Sequence, residues 1–195
     1  MTSVVGSDVL APRARTHGMV MSHWIERLGL QMLYIGPFLW CMELVQNLAI
    51  RAITGSYGWR FPLENLVGGA GGPSESSGQW VWYSIKSLAG WVLIVAVFST
   101  LDVAAGRRGW ALWKRALLGG TIGFVYEFAL GMFADKVLHS CAQIWTTKSP
   151  ANLVYVSGIA WPLWCLDFIV FHWLTMGIRT IHRHHRGRAT TRSEP

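Results

Sequence analysis

Glu43, Glu127 and Asp167 stand inside long apolar runs, and carboxyl groups in such places are the first candidates for chemistry. An Asp at the centre of a membrane helix costs about 2.5–3.5 kcal/mol on insertion scales, and a Glu should be comparable. A neutral acid escapes much of that cost and can donate a hydrogen bond to a neighbouring helix. Two uses fit. Glu43 and Glu127 line a proton, cation or substrate pathway, or they are interhelical hydrogen-bonding groups that fix register. Bonds of the second kind average only about 0.6 kcal/mol. Gln46 and Asn47 lie three and four residues beyond Glu43, on the same helical side, and give it polar company. Asp167 is a third candidate. Lys86 lies near the outer end of its run and Asp167 nearer the inner end of its own, so the two do not match in depth.

The two glutamates recur in a pattern. Gly36 and Gly120 each precede a Glu by seven residues, and each Glu is followed by a Trp (Trp59, Trp145), a Pro (Pro62, Pro150) and an Asn-Leu pair beginning at Asn65 and Asn152. The offsets fall between 84 and 88 residues, so few gaps are needed. The expectation is a duplicated helical hairpin with its axis along the membrane normal. In the second copy Gly119, Gly123, Glu127, Gly131 and Asp135 recur every four residues, on one helix face. Glycines at that spacing let helices approach closely, which puts Glu127 on a packing seam and away from lipid.

The elements that carry these residues are four apolar runs, each about the 20 residues a bilayer requires. They are Leu28–Ile50, Trp80–Leu101, Ala116–Leu138 and Leu153–Ile178. Hydrophobic residues make up 52% of the chain and charged ones 14%, against about 25% in soluble domains. Twelve tryptophans suit the membrane–water interface. Lys and Arg set the orientation. The N-terminal tail, the loop around Arg107–Arg115 and the C-terminal tail carry twelve, and the other side carries five. Both tails are therefore expected inside, with residues 1–27 and 179–195 cytoplasmic and the second tail disordered. The loop Gly68–Gly78 reads as a flexible linker. Outside, Trp59, Arg60, Asn65, Trp145 and Asn152 are either interfacial anchors and caps or a matched binding element.

The net charge of +7 flanks apolar runs and points to a membrane surface rather than nucleic acid. Cys41, Cys141 and Cys165 have no metal-like spacing, and neither a metal nor a cofactor is expected. There is no GxxxxGK[ST], GxSxG or HExxH pattern. Asp167 and His172 are five apart and do not share a helix face, so no enzyme is expected.

The stretch from Tyr126 to Trp164, with Glu127, Lys136, Trp145, Asn152, Gly158 and Trp164, resembles the second half of the ABC-transporter type IV membrane subunit family. Trp40 and Glu43 resemble its opening helix, and the likeness spans roughly residues 30–175. Thr-Thr after Trp145 replaces the family's Asp-Tyr, and no Arg follows Gly158. The resemblance implies a transporter subunit with a separate ATPase as partner.

The expectation is thus an all-α, integral membrane four-helix bundle of two repeated hairpins, N-in/C-in, in the inner membrane. It would serve as a permease-like or transporter-associated subunit with Glu43 and Glu127 as polar centre. A homodimer or larger complex is expected, because four helices enclose little space. The alternative is a scaffold subunit that packs through Gly119, Gly123 and Gly131.

Overall fold

The computed structural model describes the backbone of residues 11–62, 80–81, 84–138, 143–145 and 153–191, and side chains within 24–61, 84–138, 143–145 and 153–181. The chain is mostly helical: α1 (Ala11–Thr54), α2 (Ser87–Arg107), α3 (Leu112–Lys136) and α4 (Ala160–Thr191). Each contains a segment long and apolar enough to cross a membrane: Trp24–Thr54, Ser87–Arg107, Leu112–Lys136 and Ala160–Ile181. The surface agrees with that environment, since Leu33, Val45, Leu93, Val125 and Trp173 all point outward. Such a surface would be an aggregation hazard in water and is ordinary in lipid.

Three expected boundaries are corrected. The second run was expected to start at Trp80, yet α2 starts at Ser87, and Trp80–Val81 is strand β2. The fourth was expected from Leu153, yet α4 starts at Ala160. Both errors have one cause: the interfacial segments before these helices are as apolar as the helices. The third correction concerns the basic tail, expected to be disordered from Arg179. Its backbone continues α4 to Thr191, because neither Pro nor a turn signal stops a helix already nucleated in the membrane.

The all-α expectation needs one addition. Strands β1 (Trp59–Pro62), β2 and β3 (Ile144–Trp145) form a small antiparallel sheet in the order β2-β1-β3. Trp59 lies opposite Trp145, and Phe61 opposite Val81. The sheet satisfies backbone groups of two loops at one end of the bundle, where unpaired ones would be costly.

The helices alternate in direction. Along α1, Gln31 meets Ser99 of α2 while Glu43 meets Ser87, so the two run antiparallel. Gln31 also meets Thr175 of α4 while Gln46 meets Asp167, with the same result. The start of α1 and the end of α4 therefore lie at one end of the bundle. α2 packs on α1, and α4 packs on α3.

The glycines set the approach of α3 and α4. A methyl group at Gly119 would lie 2.3 Å from Phe168, at Gly120 2.2 Å from Cys165 and at Gly123 2.5 Å from Trp164. At Gly131 it would lie 2.7 Å from Tyr155, in the lead-in to α4. The chain's own fourth helix and its lead-in fill the space beside Gly119, Gly123 and Gly131. Phe98, Phe168 and Phe171 pack edge to face at the centre of the core, all at 0% exposure.

Candidate functional site

Glu43 of α1 is 3% exposed, and its Oε2 accepts from Trp91 Nε1 at 2.8 Å and Ser87 Oγ at 2.9 Å. Both donors lie in the first two turns of α2. The lead-in to α2 is fixed by Trp40, whose indole donates to Ser84 O and Ser87 Oγ, both at 3.0 Å. Trp59 Nε1 stands close to Glu43 without a hydrogen bond of normal geometry.

Glu127 of α3 is half-buried and takes three N–H donors. Gln143 Nε2 and Trp145 Nε1 reach Oε1 at 2.8 Å each, and Trp164 Nε1 reaches Oε2 at 2.7 Å. An indole N–H and an amide N–H can only donate. Glu127 therefore accepts on both oxygens. Trp145 is aimed by its strand: its backbone N–H donates to Val154 O at 3.0 Å. Val154 has φ 69°, in the left-handed region that β-branched residues avoid. The backbone here carries strain in a turn that holds a site residue.

The two glutamates meet through their tryptophans. Trp59 and Trp145 stack at 4.8 Å between ring centres, and Trp91 and Trp164 at 4.9 Å. Asp167 of α4, 2% exposed, accepts from Gln46 Nε2 at 2.6 Å. Glu43, Glu127 and Asp167 thus converge from three helices on one cavity of about 280 Å³. Its walls are largely apolar, and Lys86 also lines it. Sequence reasoning had separated Lys86 from Asp167 by depth. The cavity is long enough to touch both.

The remaining candidates divide. Gln46 bonds across helices to Asp167. Asn47, at 0% exposure, does not: its amide clamps the α1–β1 turn, donating to Trp59 O at 3.0 Å and accepting from Gly58 N at 2.8 Å. Arg60 lies in β1, paired with Ile144. Asn65, Asn152, Cys141 and the Gly68–Gly78 loop lie outside the described residues. At the sheet end of α3, Asp135 accepts from the Tyr155 hydroxyl and pairs with Lys136 at 2.7 Å. That bond to Asp135, then burial, raises the Tyr155 pKa.

A second polar cluster escaped the sequence. At the opposite end of the bundle Asp102, 3% exposed, meets Arg115 at 3.2 Å and His172 at 2.9 Å. Arg115 Nε also donates to Trp110 O at 2.7 Å, which fixes the α2–α3 turn. Beside it Gln31 donates to Thr175 Oγ1 at 3.1 Å and accepts from Ser99 Oγ at 2.7 Å. Arg115 had been read as a flanking positive charge. Among the described residues no group of three His, Cys, Asp or Glu is placed to hold a metal ion.

Among the described residues, four helices are long and apolar enough to cross a membrane, and a carboxyl-bearing cavity lies between them. The chain matches no family model, no curated protein and no solved structure.

Proposed function

We propose that this chain is a permease-like or transporter-associated subunit of the inner membrane, with both tails inside. Glu43, Glu127 and Asp167 are its polar centre. The observation that carries this reading is their convergence on one cavity in a membrane bundle, since intramembrane ionisable groups around a cavity mark substrate and ion pathways. The resemblance to ABC-transporter type IV subunits agrees with it and adds a separate ATPase as partner. A homodimer or larger complex would complete a pathway that four helices alone enclose poorly.

The reading includes a duplicated hairpin, and equivalent contacts support it. Gly36 closes on Val92 as Gly120 closes on Cys165. Glu43 binds Trp91 as Glu127 binds Trp164. Gln31 reaches Thr175 as Arg115 reaches Asp102. The first-helix partners differ by 84 positions throughout, and the second-helix partners by 73. A two-fold axis along the membrane normal relates such a pair of hairpins. The scaffold alternative loses its proposed surface, because α4 and its lead-in already occupy the seam of Gly119, Gly123 and Gly131.

The test uses Asp167→Asn. Among the described residues Asp167 has only one side-chain donor, so the amide can still accept from Gln46 while losing its charge. Proteoliposomes with an entrapped pH indicator should show cation-driven proton flux that Asp167→Asn lowers at least tenfold. Flux no greater than in protein-free liposomes would reject a pathway in the isolated chain. Affinity purification from native membranes then decides whether an ATPase accompanies it.

A further inference from the structure

The cavity has two unlike ends. At the inner end of its wall lie Glu43, Glu127 and Asp167. At the other, Leu93 of α2, Leu130 of α3 and Leu138 just beyond it line the cavity and also face outward, at 55%, 37% and 56% exposure. The cavity therefore runs out between α2 and α3. There, among the described residues, the Tyr126 hydroxyl of α3 donates to Gly90 O of α2 at 2.8 Å, while the other α2–α3 side-chain bond, Arg115 to Asp102, lies at the opposite end. Leu93 and Leu130 fall inside segments long and apolar enough to cross a membrane, and Leu138 lies two residues beyond the second of them.

The polar end is incompletely paired. Asp167 is 2% exposed and lines the cavity, yet only its Oδ1 has a protein donor among the described residues. On Glu43 both donors of normal geometry go to Oε2. Trp59, 2% exposed, also lines the cavity, and its Nε1 stands close to Glu43 without a hydrogen bond of normal geometry. Buried polar groups are normally satisfied, and unsatisfied ones call for an explanation. Two carboxyl oxygens in need of donors call for a group with several N–H bonds and a positive charge. Three carboxyl groups face the single ammonium of Lys86 among the lining residues. A bare inorganic ion would leave most of about 280 Å³ empty, a volume that approaches the range of small-molecule sites.

We propose that the cavity binds an amphiphilic organic amine in its protonated form, entering from the bilayer between α2 and α3. The ammonium sits at Glu43 and Asp167, and the apolar part lies along Leu93, Leu130 and Leu138. The proposal rests on the polar-centre reading above and names its ligand class.

Decylamine is the probe, with decanol and decyl sulfate as neutral and anionic controls of equal chain length. Radiolabel held by nanodiscs containing the protein is measured above that held by empty discs. Saturable binding of decylamine is expected, with neither control saturating. Asp167→Asn should weaken it at least tenfold. Leu93→Trp, which fills the mouth and touches no carboxyl group, should abolish it while the protein remains monodisperse. Equal saturation by decanol or decyl sulfate, or unchanged affinity in a folded Asp167→Asn, overturns the proposal. If Asp167→Asn does not fold, unchanged binding in Leu93→Trp overturns it. Saturable amine binding without proton flux would keep the ligand class and reject the permease. Flux that depends on Asp167 without amine binding would reject the ligand class and keep the pathway.

Discussion

Gly123→Ala tests whether the α3–α4 seam and the Glu127 site are one structure. The added methyl would stand 2.5 Å from Trp164 Cδ2 and 2.6 Å from its Cε3. These are atoms of a rigid ring fused to the N–H that serves Glu127, so the ring cannot yield without moving its hydrogen bond. Overpacking of this kind costs about 1–3 kcal/mol. Losing the Trp164–Glu127 bond adds about 1 kcal/mol for a neutral acceptor and up to about 3 for an ionised one. Ala returns about 1 kcal/mol of helix propensity over Gly. The net expectation is a loss of about 1–5 kcal/mol. The assay is equilibrium unfolding in mixed micelles, followed by tryptophan fluorescence. Gly29→Ala in α1 is the control, because nothing lies within 4 Å of its added methyl; it should be neutral or slightly stabilising. If Gly123→Ala were as stable as the Gly29→Ala protein, the seam would be looser than described and the coupling of glycine to glutamate would be wrong.

Other consequences can be measured separately. Glu127→Gln should not be a silent probe: both oxygens accept N–H bonds, an amide offers only one acceptor oxygen, and the clash should cost about 1–3 kcal/mol in the same unfolding assay. Asn47→Ala orphans backbone groups of Gly58 and Trp59, so a loss of at least about 2 kcal/mol is expected, with faster amide exchange at those residues than in α2. Asp102→Ala strands Arg115 and His172 and should destabilise by about 3–5 kcal/mol, whereas exposed Arg108→Ala should change little. With Cys41 and Cys165 replaced by Ala, an impermeant thiol reagent added outside should label Cys141, and a Cys at Arg108 should react only from inside; the reverse pattern would invert the proposed topology.

Much of this was legible in the sequence because a bilayer imposes simple demands. Four apolar runs announced four helices, and glycines every four residues announced the close face of α3. Glu43 and Glu127 stood out as costly groups in apolar runs, and both line the cavity that Asp167 also reaches. Other features were hidden for identifiable reasons. Trp80–Val81 and Leu153–Val156 are apolar enough to extend a hydropathy window, so strand and lead-in were read as helix. Donors to Glu127 come from a strand, a loop and another helix, and no local spacing connects Gln143, Trp145 and Trp164. Asp102 lies at the end of its run, where a charge is unremarkable, and Arg115 was counted as a flanking cation. The offsets held a usable clue: Arg115 stands 84 residues after Gln31, and Thr175 stands 73 after Asp102. The same two offsets relate the Gln31–Thr175 contact to the Arg115–Asp102 contact.

The bonds between the two halves bear on how the chain is made. Gln31 and Gln46 of the first hairpin reach Thr175 and Asp167 of the second, and Asp102 reaches Arg115 and His172. Every one of these partners is synthesised after the first hairpin is complete. During translation that hairpin would enter the bilayer with Asp102 unneutralised and two amides lacking their later partners. It would therefore be a poor resident of the membrane alone, held at the insertion machinery or shielded by it until α3 and α4 arrive. The contacts that close the first hairpin's polar face thus form only once the second hairpin has been made.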